Sequence, residues 1–332
     1  MRALVTGGTG FVGSHLVDRL LAQGYEVRCI VRPTSNLQWL VDPRIELFFS
    51  GLLEPEKLKA ALKDVDVVFH VAGSLIEKDW DGFYAANVKP VHLLLDAAVK
   101  VGGLKRFVLV SSTGAAGPSF DGAPLRETDP EHPVSAYGRS KLEGEKVAKA
   151  YFGRLPIAIV RPSAVYGPRD PNLLRVFKQV RGGITPLLGA DEHYISLVHA
   201  EELADGIILA GERPEAIGQT FTLSSERPYT RTEILDTVGD VVGKRSLRPV
   251  LPKGPALAVA KAYANFITKV LKRQTLLDAE RLETVGQRYW SFDVSKAMQQ
   301  LGYRQKYPLM DGMRQTYQWY LERDWLNRDT GR

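Results

Sequence analysis

Tyr137 and Lys141 stand four residues apart in Tyr137-Gly138-Arg139-Ser140-Lys141. On a helix that spacing puts both side chains on one face. A lysine cation there favours the phenolate form of the tyrosine, which eases proton transfer at a nearby oxygen. Upstream, Ser111-Ser112-Thr113 sets a run of hydroxyls after an apolar segment. A hydroxyl to orient a carbonyl oxygen and a tyrosine–lysine pair to protonate it are what carbonyl reduction needs on the oxygen side. Each residue alone has a plainer use: Tyr137 as packing, Lys141 as a surface cation, Ser112 as a turn hydroxyl.

The hydride for such a reaction needs a carrier, and the N-terminus offers a cradle for one. Thr6-Gly7-Gly8-Thr9-Gly10-Phe11-Val12-Gly13 follows the first apolar run and opens a helical pattern. Gly7 and Gly10 remove Cβ obstruction where backbone donors approach a pyrophosphate, and Gly13 lets the helix pack close to the sheet. Phe11 and Val12 lie in the same turn. At the end of the second strand, Ile30-Val31-Arg32-Pro33 has Arg32 where a site specialised for NAD commonly has Asp or Glu. Its planar donor array suits a 2′-phosphate, so NADP is the expected cofactor and NAD the alternative, with Thr34 and Ser35 as weaker contacts.

The chain has 332 residues, with 44 basic and 38 acidic side chains giving +6, and 44% apolar residues. These values fit a soluble globular protein and exclude global disorder, a collagen-like chain and a disulfide-built miniature. The single cysteine, Cys29, cannot form an internal disulfide; a reducing, cytoplasmic location is expected and no metal site. The apolar run after Arg2 breaks at Gly7-Gly8, too early for an export signal. No segment offers about 18 uninterrupted apolar residues, so no transmembrane segment is expected. The basic residues lack an aromatic platform, which argues against nucleic acid as a partner.

Ala3–Thr6, Val27–Val31, Ile45–Phe49, Val67–Val71, Phe107–Val110 and Ile157–Val160 read as buried strands, alternating with helices at 11–21, 54–62, 88–101 and 136–151. Continuous apolar strands separated by helices predict an α/β fold, a Rossmann-type parallel sheet with helices on both faces. After Arg161-Pro162 the repeat weakens. The expected division is residues 1–165 as a dinucleotide-binding domain and 166–332 as a smaller C-terminal substrate-binding lobe, interleaved with final elements of the sheet. The segment 255–271 reads as an amphipathic helix used in internal packing, with peripheral membrane contact or a lid over an apolar ligand as alternatives.

In this order the glycine turn, the hydroxyl run, the Tyr137–Lys141 helix, Arg161-Pro162-Ser163-Ala164-Val165-Tyr166-Gly167-Pro168 and Tyr194-Ile195-Ser196-Leu197-Val198-His199-Ala200 resemble an extended short-chain dehydrogenase/reductase. The likeness is to the NAD-dependent epimerase/dehydratase family, with steroid dehydrogenase-like and dihydroflavonol reductase-like members. It implies Tyr137 as proton donor or base, Lys141 as its electrostatic partner and Ser112 as the orienting hydroxyl, with Thr113 its rival. Asn87 matches the asparagine that organises the lysine and cofactor side. Val71, Ala72 and Gly73 at the fourth strand end, and Pro162, Ser163, Ala164 and Val165 beside the nicotinamide, complete the implied cofactor contacts. A homodimer is implied as well. Leu52 departs from the family, whose members often have an Asp there to contact adenine.

Two further features shape the expected reaction. Asp191 and Glu192 precede Tyr194, where nucleotide-sugar enzymes of the family often have an Arg, and two carboxylates there would repel a second phosphate. Ala115 and Ala116 stand where a sugar dehydratase would carry an Asp-Glu pair. The expected activity is therefore NADP-dependent alcohol/ketone oxidoreduction on a small or apolar carbonyl substrate. The alternatives are a sugar or nucleotide-sugar epimerase with tightly bound NAD(P), and a non-catalytic dinucleotide-binding protein.

Overall fold

A computed structural model of the chain describes residues 1–252, 254, 284 and 286–327. The segment 255–271 lies outside them. The first half alternates β1 (Arg2–Thr6), α1 (Phe11–Ala22), β2 (Glu26–Val31), β3 (Ile45–Phe49), α2 (Pro55–Ala61), β4 (Val67–His70), α3 (Trp80–Asn87), α4 (Lys89–Val101), β5 (Arg106–Val110), α5 (Ala136–Lys149) and β6 (Ile157–Pro162). Then follow β7 (Ala164–Tyr166), α6 (Pro171–Gly182), β8 (Leu187–Leu188), β9 (Tyr194–Ile195), β10 (Leu197–His199), α7 (Ala200–Glu212), β11 (Gln219–Leu223), β12 (Tyr229–Thr230), α8 (Arg231–Val242) and β13 (Val250–Leu251). The described chain ends with β14 (Tyr289–Trp290), α9 (Ser295–Gln300) and α10 (Leu309–Glu322).

Seven strands form one parallel sheet in the order β11-β6-β5-β4-β1-β2-β3. Strand alternation divides its side chains between two cores. In β5, Val108 and Val110 face α1 and α7 with Leu16, Leu20, Leu203 and Ile207. Phe107 and Leu109 face α2, α4 and α5 with Leu58, Leu94 and Ala148. Each such buried side chain contributes about 1.5–3 kcal/mol by leaving water. A third core, with Leu174, Phe177, Val238, Met313 and Tyr320, ties α6, α8 and α10 together beside the sheet.

The expected helix over 88–101 is present as α4, Lys89–Val101, and a separate helix that the sequence reading does not mark, α3, precedes it. Pro90 occupies the first turn of α4 and has no N–H to continue a helix from α3, so the chain breaks at Val88. Asn87 is thereby the last residue of α3, buried at 3% exposure. The region after β6 contains ladders too short to show in a hydropathy pattern: β7 with β10, β8 with β13, and β12-β9-β14. Among the described residues no helix is long and apolar enough to cross a membrane.

Candidate active site

The glycine turn is fixed by backbone contact. Gly7 has φ +76°, and a Cβ there would lie 2.7 Å from the Ala72 nitrogen at the end of β4. A Cβ on Gly13 would meet the Gly7 carbonyl oxygen at 2.1 Å, so α1 can sit this close only with glycine. Gly10, exposed, caps α1 without a side-chain hydrogen bond. The first-turn N–H groups at Phe11, Val12 and Gly13 are thus presented from an uncapped helix start, an arrangement that suits a pyrophosphate. The cradle fits a dinucleotide.

The end of β4 is tied to β1. The Val71 N–H donates to the Thr6 carbonyl at 3.2 Å and the Ala72 N–H to Thr6 Oγ1 at 3.2 Å. His70 Nδ1 lies 2.7 Å from that same hydroxyl. Burial, with the Lys141 charge adding to it, pushes the His70 imidazole down to about 3, so it stays neutral. Gly73 comes next: a Cβ there would lie 3.0 Å from Asn87 Oδ1 and 3.5 Å from Lys141 Nζ. Asn87 accepts from the Ser74 N–H at 2.7 Å and donates to the Ser74 carbonyl and Ser140 Oγ, each at 2.9 Å. It stitches the β4 loop to α5.

Ser135 caps α5, accepting from the Gly138 N–H at 3.1 Å. A Cβ on Gly138 would come 2.3 Å from the Gly114 carbonyl oxygen, so α5 packs directly on the 3-10 turn Thr113–Ala115. Ser112 caps that turn, its Oγ accepting from the Gly114 N–H at 3.0 Å. Gly114 lies between the two groups of interest: its Cβ would be 3.3 Å from Ser112 Oγ and 3.6 Å from the Tyr137 ring. Thr113 is buried at 5% exposure, whereas Ser112 is half-buried, so it is Ser112 that stands at the opening. Lys141 Nζ donates to the Val110 carbonyl at 2.7 Å. Burial pushes its ammonium down to about 8, and the charge of Glu145 one turn later acts against that fall.

Sequence reasoning missed the support beneath Lys141. Glu145 is fully buried and accepts from Ser111 Oγ at 2.6 Å and from Arg161 Nε and Nη2 at 2.9 and 2.7 Å. Arg161 also reaches Glu131 at 3.0 Å. A helical Glu reads as a surface charge in a sequence; the one available signal was Arg161 at the end of an otherwise apolar strand. Beyond it, Pro162 and Ser163 are buried, Ala164 is exposed and Val165 half-buried, with 164–166 laid alongside β10.

Two expectations meet different geometry. Arg32 is exposed, and what is fixed there is its backbone, whose N–H donates to Ser35 Oγ at 3.0 Å, so no phosphate clamp is built in advance. Glu192 does not face a substrate as a bare charge. It accepts from the Thr232 N–H and hydroxyl and from the His193 N–H. Burial works to raise its carboxyl, but those hydrogen bonds and the Arg231 charge outweigh it and hold it below the usual range. Arg231 donates to the carbonyls of Leu188, Gly189 and Asp191, while its N–H bonds the His193 carbonyl at 2.8 Å. Arg231 of α8 thus brings a cation beside Asp191 and Glu192.

Residues 3–223 match the model of the NAD dependent epimerase/dehydratase family. The chain is similar to the uncharacterized protein y4nG of Sinorhizobium fredii, 32% identical over 96% of this chain and 78% of that one. It is 29% identical to a ceramide reductase of Caulobacter vibrioides, over 98% of this chain and 96% of that one. Among solved structures it is similar to a dTDP-glucose 4,6-dehydratase from Streptomyces venezuelae with NAD bound, at 28% identity and TM-score 0.78, covering 98% of each chain. Nucleotide-sugar epimerases and dehydratases with NAD share the fold. These NAD-bound structures overturn the expected NADP preference, in line with the unclamped Arg32. They also overturn the expected NADP-dependent oxidoreduction of a small or apolar carbonyl. The chain belongs to the NAD dependent epimerase/dehydratase family.

Proposed function

We propose that the protein is an NAD-dependent epimerase of a sugar or nucleotide sugar that keeps its dinucleotide through the catalytic cycle. The observation that carries this reading is the grouping of Ser112, Tyr137 and Lys141 at the edge of the sheet, within reach of the gap left by Gly73. Bound NAD supplies the hydride acceptor and donor. Tyr137 takes the proton from a substrate hydroxyl as the carbon is oxidised, and returns it when the carbonyl is reduced from its other face. Lys141 favours the phenolate, Ser112 holds the oxygen, and Asn87 fixes the loop and helix between which Lys141 lies. Ala115 and Ala116, both buried, offer no acid–base pair for elimination, which favours epimerisation over dehydration. Gly7 to Gly13, Val71 to Gly73 and Pro162 to Val165 hold the dinucleotide in this reading. Residues 1–165 serve mainly the cofactor and 166–332 mainly the substrate, in a cytoplasmic homodimer.

The test is incubation of the NAD-loaded enzyme with a panel of UDP- and dTDP-sugars, following stereochemistry by NMR and the nicotinamide by absorbance. Interconversion of stereoisomers without net NADH is expected, and Tyr137→Phe should slow it by about a thousandfold or more in folded protein. Stoichiometric NADH, or no exchange with any sugar offered, overturns the reading. Ser112→Ala should cost far more than Thr113→Ala.

A further inference from the structure

Neighbouring residues Trp39 and Leu40, in the connection between β2 and β3, serve different parts of the molecule. Leu40 is 5% exposed and lies under the phosphate cradle, where a Cβ on Gly8 would come within 3.7 Å of its Cδ1. Its N–H donates to the Leu37 carbonyl at 2.8 Å, and Leu37 packs on the same core. Trp39 instead meets Trp319 of α10 at 5.8 Å and Trp325, in the turn after α10, at 6.3 Å between ring centres. Those two rings meet edge to face at 4.8 Å. The C-terminal helix therefore reaches the cradle through only two residues of intervening chain.

Arg169 closes the arrangement. Its guanidinium lies 4.7 Å over the Trp39 ring and pairs with Asp18 of α1 at 2.7 Å. Its φ of +72° is a left-handed conformation that costs an arginine energy. The preceding Pro168 carbonyl accepts from His15 Nε2 of α1 at 2.8 Å. On the α10 side, Tyr320 stacks on Trp325 and donates its hydroxyl proton to the Asp170 carbonyl at 2.6 Å. Residues 168–170 and α10 thus grip both α1, whose first turn belongs to the glycine cradle, and the segment beneath that turn. Trp39, Trp319, Trp325 and Arg169 are each half-buried, so these edge and cation–π contacts are partly shielded from water.

We infer that Trp39, Trp319 and Trp325, with Arg169 on Trp39, form a strap by which the C-terminal helix holds residues 37–40 under the cradle and slows release of the dinucleotide. These are positioning residues and touch no reacting atom. The identity of the retained ligand rests on the NAD reading above; the mechanical part does not.

Two measurements separate the parts. Hydrogen exchange in nucleotide-free protein reads the strap alone: Trp319→Ala and Trp325→Ala should exchange the Leu40 amide at least about tenfold faster, while β1 and β4 amides keep wild-type protection. NAD dissociation, followed by fluorescence after dilution into excess competitor, should accelerate roughly tenfold in the same variants, with Trp319→Phe and Trp325→Phe restoring most of the retention. The stereoisomer exchange rate at saturating NAD should stay unchanged. Wild-type exchange at Leu40 in folded Trp325→Ala overturns the strap whatever the ligand. Faster exchange with unchanged NAD release overturns its link to retention. A chain that binds no dinucleotide at all, yet shows the exchange effect, overturns the NAD reading and leaves the mechanical strap standing. Trp325 is half-buried near the end of the described chain, so its variant serves should Trp319→Ala fail to fold.

Discussion

The glycine turn with its neighbours and the region around Tyr194 are built by different means. Around Gly7, Gly13 and Gly138, backbone meets backbone, and an added Cβ would lie 2.1 to 2.7 Å from a main-chain atom. Around Tyr194, two-residue strands pair through only a few backbone bonds and are reinforced by side chains, with Arg231 spread over three carbonyls and Glu192 accepting from the Thr232 N–H. Backbone contacts leave one solution for the residue type. Side-chain contacts can be exchanged one at a time, so the first region is fixed in residue type while the second can be altered piecemeal.

If that contrast holds, the largest effect comes from the cradle. Gly13→Val drives a side chain into the Gly7 carbonyl and should lower NAD affinity by at least about a hundredfold, read by calorimetric titration alongside circular dichroism. Wild-type affinity in this variant would show that the backbone fit is not what holds the dinucleotide.

Glu145→Gln tests the buried support between the two regions and should cost about 3–5 kcal/mol in denaturant unfolding, because Arg161 loses its buried partner. It also carries a pH signature. Lys141, held down to about 8 by burial from an ordinary 10.5, loses its charge as pH rises through about 8. Turnover should therefore fall on an alkaline limb there. Glu145 is the charge that works to raise that value, so its removal should move the limb to lower pH. A limb that stays in place or moves up would detach Glu145 from Lys141. The linkage sign for stability is opposite to that of a stabilising ion pair: because the folded value lies below the unfolded one, the cost of burying this cation is present in full below about pH 8 and is relieved as pH rises toward 10.5.

The smallest effect on the cofactor should come from Arg231→Met. Loss of its carbonyl contacts should raise KM for the sugar substrate roughly tenfold while NAD affinity stays within about twofold. A parallel loss of NAD affinity would erase the distinction between the regions.

The same contrast explains what could be read from the chain. The strands from Ala3 to Val160 show as apolar runs because both faces of a parallel sheet are buried, and the glycine turn shows because its residue type is forced. The spacing of Tyr137 and Lys141 shows that they share a helix, as α5 has them, whereas Ser112 came from the family resemblance. Glu145 was not, since a fully buried carboxylate on a helix has the same signature as a solvated one until its partner on β6 is known. The NADP expectation failed at Arg32 because residue type at a strand end does not say whether the side chain is held. The surroundings of Glu192 were not legible because Thr232, forty positions on, bonds its carboxylate, and Arg231 lies beside it. Ladders of two or three residues such as β9 and β12 carry too few positions to display any period.

Strand β11 pairs with β6 along its whole length, yet it is made only after the chain has left the sheet, built α6 and α7, and come back. The two halves are consequently not detachable modules. A fragment ending at residue 165 would expose one side of β6, whose six residues are all buried, as an unpaired apolar edge inviting aggregation. New substrate preferences on this scaffold would have to come by replacing single connections between fixed sheet strands, since grafting a complete second lobe would take a piece of the sheet with it.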